Sequence, residues 1–233
     1  MNTTWIFGDS FSQCMINENK KYIEICSYYG IDNVPGWDAK ISKHLGTKYI
    51  NTAVGGNSPQ GIIDDFISNM NKFEPGDTVI ISSSPMVRTV GYDDNHHKVQ
   101  TWNLEMMRWN IDNAQISNKH LYGAPTMLIE NKNLILDYLL TFLVPYEDEW
   151  HIYFEGKIKE FIDLFKKQDI HVYYWTHKLW NNFSTVEMDT RGEIKDDHWG
   201  ITGQEEFFQY LKKRIDDKIY FSNEVGPPIK RFL

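Results

Sequence analysis

Residues 5–12 read WIFGDSFS. Trp5, Ile6 and Phe7 form a short apolar run of strand-forming residues, and it stops abruptly at Gly8, Asp9 and Ser10, which favour turns. A strand that ends there carries one hydroxyl to the edge of a sheet, where loops gather and where open α/β sheets bind ligands. The same tripeptide also suits an ordinary polar turn, so its meaning depends on what surrounds it.

Working outward, the first strand covers about 3–8 and leads into a polar, Tyr-rich stretch at 15–36. WDAKISKHLG then places Trp37, Ile41 and Leu45 four apart and closes on Gly46, the pattern of an amphipathic helix with a glycine C-cap. TKYINTAV reads as a second strand. GGNSPQGIIDDFISNMNKF runs from a loop into a helix, with Ile62, Ile63, Phe66, Ile67 and Met70 on a 3.6-residue period. After a PGD turn at 75–77, TVIISSS is a buried third strand by its continuous β-branched start. Periodicity is lost from about 86 to 147, and an insertion with one or two helices over the sheet edge is expected. DEWHIYFEGKIKEFIDLFKKQ is the clearest helix, its stripe formed by Phe154, Ile158, Phe161, Ile162 and Phe165. IHVYYWT follows as a fourth strand and ITGQEEFFQYLKKRI as a closing helix, with Phe207, Phe208, Leu211 and Ile215 inward. The tail from 219 to 233 is broken by Pro and Gly, and is expected to dock on a surface or a protein partner.

Strands alternating with helices pair in parallel, which predicts one α/β domain over 1–218: a three-layer α/β/α sandwich with a mainly parallel, flavodoxin-like sheet. In such a sheet the C-terminal ends of all strands share one edge. Ser10, Gly55 and Gly56, Ser82 to Ser84 and the loop leading to His198 then fall together.

The 233 residues are 41% hydrophobic and 15% aromatic, with 8 Trp, which marks a folded protein rather than a disordered chain. A formal net charge of -8 provides no footprint for a phosphate backbone, so nucleic acid is not an expected partner. No basic-then-apolar leader and no membrane-length apolar run is evident, which predicts a soluble chain made without a signal peptide. Its Asn, Lys, Ile and Tyr content suits an AT-rich microbial or phage genome. Cys14 and Cys26 match neither a disulfide framework nor a zinc site.

A serine hydroxyl is a weak nucleophile unless a base lies within hydrogen-bond reach, itself oriented by a third group. The best base is His198, because DDHWG sets a carboxylate and an imidazole together just before the last helix. GDSFS near the N-terminus, NTAVGGNS after the second strand and this acidic-His segment together resemble the SGNH (GDSL) hydrolase family, three-layer α/β esterases and lipases whose serine follows the first strand. The resemblance covers 3 to about 83 and 169 to 217. It implies Ser10 as nucleophile, with its own N–H as one oxyanion donor, Gly56 as a second donor, His198 as base, and Asp196 or Asp197 as acid. Asp196 is preferred, since adjacent side chains generally diverge. It further implies short acyl esters as substrates, including O-acetyl groups on carbohydrate, and no cofactor.

The chain departs from the family pattern twice. The family's last motif is Asp-x-x-His, whereas Lys195 stands three before His198. The family's Gly-x-Asn-Asp, whose side-chain amide serves the oxyanion hole, is replaced by ISSSPMVR, and losing such a donor costs roughly 10²–10³ in rate. Hydroxyls of Ser83 or Ser84 are candidate substitutes, Ser83 first, and Asn57 or Arg88 are further candidates. Arg88 also suits a substrate carboxylate or an acidic surface. DDNHH at 93–97 reads as a solvated loop rather than half of a metal site. Trp102, Trp109 and Trp175 line a sugar or acyl pocket or belong to the core. Cys14 is near Ser10 but has no assignable base. Two other readings remain: an SGNH-fold binding or structural module with little turnover, motivated by the missing amide, and behind it a metal-dependent phosphoesterase.

Overall fold

The computed structural model describes residues 1–13, 35–55, 57–84, 88–92, 98–103, 141, 144–192 and 198–222. In chain order its elements are β1 (Thr3–Phe7), α1 (Trp37–Leu45), β2 (Lys48–Asn51), α2 (Pro59–Asn69), β3 (Thr78–Ser82), β4 (Arg88–Tyr92), β5 (Lys98–Asn103), α3 (Glu147–Lys166), β6 (His171–Trp175), α4 (Val186–Asp189), α5 (Ile201–Asp216) and β7 (Phe221–Ser222).

Five of these strands form one parallel sheet in the order β2-β1-β3-β6-β7. Counting parallel strands alone, that is 2-1-3-4-5, the flavodoxin-like order expected from the sequence. Alternation along the strands divides the core between the two faces. Trp5, Phe7, Val79, Ile81, Val172 and Tyr174 meet Ile62 and Phe66 of α2 and Phe154, Ile158, Ile162 and Phe165 of α3. Ile6, Ile80, Tyr173 and Trp175 meet Trp37 and Ile41 of α1 and Phe207, Leu211 and Ile215 of α5. Register follows from this: Ile6 is opposite Ile80 and Ile81 opposite Tyr174, so each rung presents like residues to like faces.

Local chemistry sets the helix ends. Ser58 caps α2, its hydroxyl accepting from the Gly61 N–H at 3.1 Å, with Pro59 in the first turn. Gly46 ends α1 at φ 65°, a left-handed conformation that glycine adopts without steric cost. Glu147, Asp148 and Glu149 crowd the first turn of α3, where the helix dipole favours negative charge. Asp77 straps the start of β1: its carboxylate accepts from the Thr3 N–H at 2.7 Å and from Trp5 Nε1 at 3.0 Å.

Two stretches add to what the sequence suggested. The insertion, expected to hold one or two helices, opens with an antiparallel hairpin, β4 against β5, pairing Arg88 with Asn103 and Thr89 with Trp102, and its residues 104–140 lie outside the described residues. Thr89, Val90, Val99 and Thr101 favour strands, and polar residues between the two runs suit a reversal. The tail expected to dock from 219 begins by adding a fifth strand to the sheet. Phe221 stacks on Tyr174 at 4.8 Å, the Tyr210 and Ser222 hydroxyls meet at 2.6 Å, and an Arg214 guanidinium N–H donates to the Phe221 carbonyl. Side chains of α5 and β6 thus seat a strand too short to announce itself.

Candidate active site

Because β2 lies on one side of β1 and β3 on the other, the loops after β1 and β3 leave the sheet in opposite directions. That divergence opens the crevice at which doubly wound sheets hold ligands. The loop after β1 is Gly8 to Gln13. Asp9 is fully buried and its side chain accepts the Phe11 N–H at 3.2 Å, while its carbonyl accepts the N–H groups of Ser12 and Gln13. This makes a single helical turn with Asp9 as its cap and places half-buried Ser10 at its start. Asp9 therefore braces the turn, as a cap does.

The turn is bolted to β3. Ser12 Oγ donates to Ser82 Oγ at 2.9 Å, both residues fully buried. Gly8 is required there, since a Cβ at that position would overlap the Ser12 and Ser82 hydroxyls. The run after β2 is stitched to the same turn. Thr52 N–H donates to the Ile6 carbonyl and Val54 N–H to the Gly8 carbonyl. Asn51 Nδ2 bridges the Ser12 carbonyl at 2.8 Å and Asp38 Oδ2 at 3.0 Å. Gly55 N–H donates to Gln13 Oε1 at 2.8 Å, and a Cβ on Gly55 would stand 3.8 Å from Ser10 Cβ. The Gly55 loop is thus alongside the serine.

His198 arrives from the other end of the chain. Its carbonyl accepts the Val186 N–H at 2.8 Å, and Trp199 pairs with Thr185, which straps the segment to the start of α4. The half-buried imidazole is stacked on the Phe11 ring, centroids 4.9 Å apart at 25°. Trp180 stacks on Phe11 at 4.3 Å and 16°. Two near-parallel partners this close need opposite faces, so Phe11, the residue after Ser10, is held between them.

The remaining candidates fall as follows. Ser83 and Ser84 are fully buried past the end of β3. Ser83 Oγ accepts the His177 N–H at 2.9 Å and lies 3.0 Å from His177 Nδ1, so its hydroxyl is engaged with His177. Ser84 Oγ has no hydrogen-bond partner among the described residues. Asn57 is fully buried, and its amide donates to Asp65 Oδ2 at 3.1 Å. Arg88 and Trp102 belong to the backbone of the hairpin. Trp175 is core, packed on Phe207 at 4.8 Å and Trp199 at 5.5 Å. Gly56, Asp196, Asp197, Cys14, Cys26, Trp109 and the 93–97 run lie outside the described residues. Among the described residues, no group of three or more His, Cys, Asp or Glu is placed to hold a metal ion, and no helix is long and apolar enough to cross a membrane.

One cluster at this edge escaped the sequence reading. His151 Nε2 lies 3.0 Å from Glu155 Oε1, and Tyr174 Oη donates to the same oxygen at 3.4 Å. His177 meets His151 edge to face at 5.3 Å and Trp180 at 5.7 Å. Burial holds the His151 imidazole below the usual histidine range despite the attraction of Glu155, with Lys178 adding to the depression. Burial raises the Tyr174 phenol far above its ordinary value. The signal for His177 was its position directly after a strand, the same logic that singles out Ser10.

No family model and no curated protein sequence matches this chain. Among solved structures it is similar to an acetyl xylan esterase, 13% identical over 93% of this chain and 74% of that one, with a TM-score of 0.33. It is also similar to a structure described as a lipolytic protein of the G-D-S-L family from Desulfitobacterium hafniense DCB-2, 12% identical over 91% and 99%, with a TM-score of 0.33. Likeness this remote leaves the chemistry to be argued from the residues themselves.

Proposed function

We propose that this chain is a serine ester hydrolase acting on short acyl esters, including O-acetyl groups of carbohydrates. The observation that carries the reading is the packing of the His198 ring on Phe11, one residue past Ser10, with the Gly55 loop alongside the serine. That three separate segments of the chain approach the same turn supports the reading.

In this reading Ser10 Oγ attacks the ester carbonyl carbon as its proton passes to His198. The tetrahedral oxyanion is held by the N–H groups of Ser10 and Gly56, and His198 returns the proton to the leaving alcohol. Water then attacks the acyl-enzyme by the same base, releasing the acid and restoring Ser10. Asp196, with Asp197 as the alternative, orients the imidazole. With the Ser83 hydroxyl committed to His177, Ser84 is the better of the two serines to replace the missing amide donor. No step needs a cofactor.

The test is turnover of p-nitrophenyl acetate together with labelling by a fluorophosphonate. Wild-type protein is expected to hydrolyse the ester and to carry the label on Ser10, and Ser10→Ala to lose both. Absence of label on Ser10 under conditions where the protein is folded overturns the reading. A second reading, a binding module of this fold with little turnover, is favoured by the internal bonding of Ser83, and it predicts a folded protein that takes no label. A protein partner for the tail beyond 222 belongs to that second reading.

A further inference from the structure

Residues 9–13 form one helical turn, since the Asp9 carbonyl accepts the N–H groups of Ser12 at 3.0 Å and of Gln13 at 2.8 Å. Residues three apart on such a turn share a face, so the Gln13 side chain leaves the turn on the side of Ser10. The Gly55 loop bears this out. A Cβ built on Gly55 would stand 2.9 Å from Gln13 Oε1 and 3.8 Å from Ser10 Cβ, so the Gln13 carboxamide and the serine approach one point on that loop.

The orientation of that carboxamide is settled by its partner. Gly55 N–H donates to it at 2.8 Å, and only the oxygen of an amide accepts, so Oε1 faces the Gly55 loop and Nε2 occupies the other arm of the planar group. The loop that anchors it is itself tied down: Val54 N–H donates to the Gly8 carbonyl at 3.1 Å, and Asn57 N–H closes a turn on the Val54 carbonyl at 3.0 Å. Among the described residues Nε2 has no acceptor, so this half-buried side chain brings two N–H donors to the flank of the nucleophile. Other polar side chains near this edge are committed elsewhere, Ser83 to His177 and the Asn57 amide to Asp65 Oδ2 at 3.1 Å. A tetrahedral oxyanion has three lone pairs, and in the reading above the N–H groups of Ser10 and Gly56 answer two of them. We propose that Gln13 is the third oxyanion donor of this site, acting through Nε2 while Oε1 is anchored on the Gly55 N–H. This role rests on the ester hydrolase reading, and within it takes the place given to Ser84.

Proton–nitrogen spectra of ¹⁵N-labelled protein before and after reaction with a fluorophosphonate read the contact directly, because the phosphoryl oxygen takes the oxyanion's position once the label is on Ser10. The Gln13 side-chain N–H signals, assigned by their absence from Gln13→Met, are expected to move downfield in the adduct. Signals that stay in place overturn the proposal. Turnover of p-nitrophenyl acetate is the second measurement. Gln13→Glu keeps an acceptor for the Gly55 N–H and loses both donors, whereas Gln13→Met, neutral and of similar length, loses acceptor and donors alike. In each, kcat is expected to fall roughly 10²–10³-fold with KM changed far less. A slow Gln13→Met beside a Gln13→Glu at the wild-type rate reduces Gln13 to a clasp for the Gly55 loop and overturns the donor. A slow Gln13→Glu beside an unaffected Gln13→Met is an effect of charge and overturns it as well. Wild-type protein that takes no label on Ser10 fails the hydrolase reading and the donor together, whereas a labelled wild type with static Gln13 signals fails the donor alone.

Discussion

His198 and His177 stand at the same edge of the sheet and are held by opposite means. His198 has its plane fixed by a ring, stacked at 4.9 Å on Phe11, and its backbone strapped to α4 through Val186. His177 has its ring fixed by a hydroxyl, through Ser83, which also accepts its backbone N–H. Stacking sets where an imidazole lies without itself engaging a ring nitrogen, whereas a hydroxyl contact ties one ring nitrogen to a fixed partner. A group that must take up and release a proton in every turnover suits the first kind of support. One that holds a constant contact suits the second.

The sharpest way to break this contrast is His198→Ala. Its kcat for p-nitrophenyl acetate is expected to fall roughly 10³-fold or more with KM changed far less, as when a base acts only in the transition state. A loss under about tenfold would transfer the base role to His177 and reverse the comparison.

Next in size is Gly8→Ala. The new methyl has no room beside the Ser12 and Ser82 hydroxyls, and both belong to fully buried residues that cannot swing into solvent. A cost of about 1–3 kcal/mol in denaturant unfolding is expected from the overpacking. Because Ser10 rides on the same turn, activity is expected to fall further than stability alone predicts at a temperature where the variant is folded. An unaffected rate would mean that the Ser12–Ser82 bolt does not position the nucleophile.

What the sequence made legible was the frame: apolar, β-branched runs ended by Gly, Ser or Thr located β1, β3 and β6, and the alternation of strands and helices foretold the layers. Phe154, Ile158, Ile162 and Phe165 were readable as the inward stripe of α3, and they are buried. The same stripe concealed His151 and Glu155. These sit four apart on the inward side of that helix, and polar residues within an amphipathic pattern read as solvated until the sheet places Tyr174 and Thr176 above them. β7 was illegible for a different reason, since its two residues owe their place to Tyr174, Tyr210 and Arg214 rather than to any pattern of their own. Ser83 was legible as a polar residue past the end of β3, but its partner, a histidine 94 positions away, was not.

Phe11→Leu tests the stacked half of the contrast. It keeps an apolar side chain beside Ser10 and removes ring pairs to Trp180 and His198, each worth roughly 0.5–1.5 kcal/mol beyond area. Unfolding free energy is expected to fall by about 1–3 kcal/mol, and kcat to fall with it. An unchanged kcat in this variant would show that the stack does not position His198 for its role.

The hydrogen-bonded half has a pH signature with a definite sign. His151 is buried against Glu155, with Lys178, Asp148 and His177 as the other charged or titratable groups around it, and burial holds its pKa below the ordinary value of about 6.5. Well above that value the imidazole is neutral in folded and unfolded chains alike and contributes no pH dependence. As pH falls through about 6.5 the unfolded chain binds the proton first, so stability declines from there down to the lowered folded value and then levels. Denaturant unfolding between pH 8 and pH 5 is expected to show this decline in the wild type, and to show less of it in His151→Gln, whose amide still donates to Glu155 but does not titrate. Equal slopes in the two proteins would mean that the His151 imidazole is solvated after all.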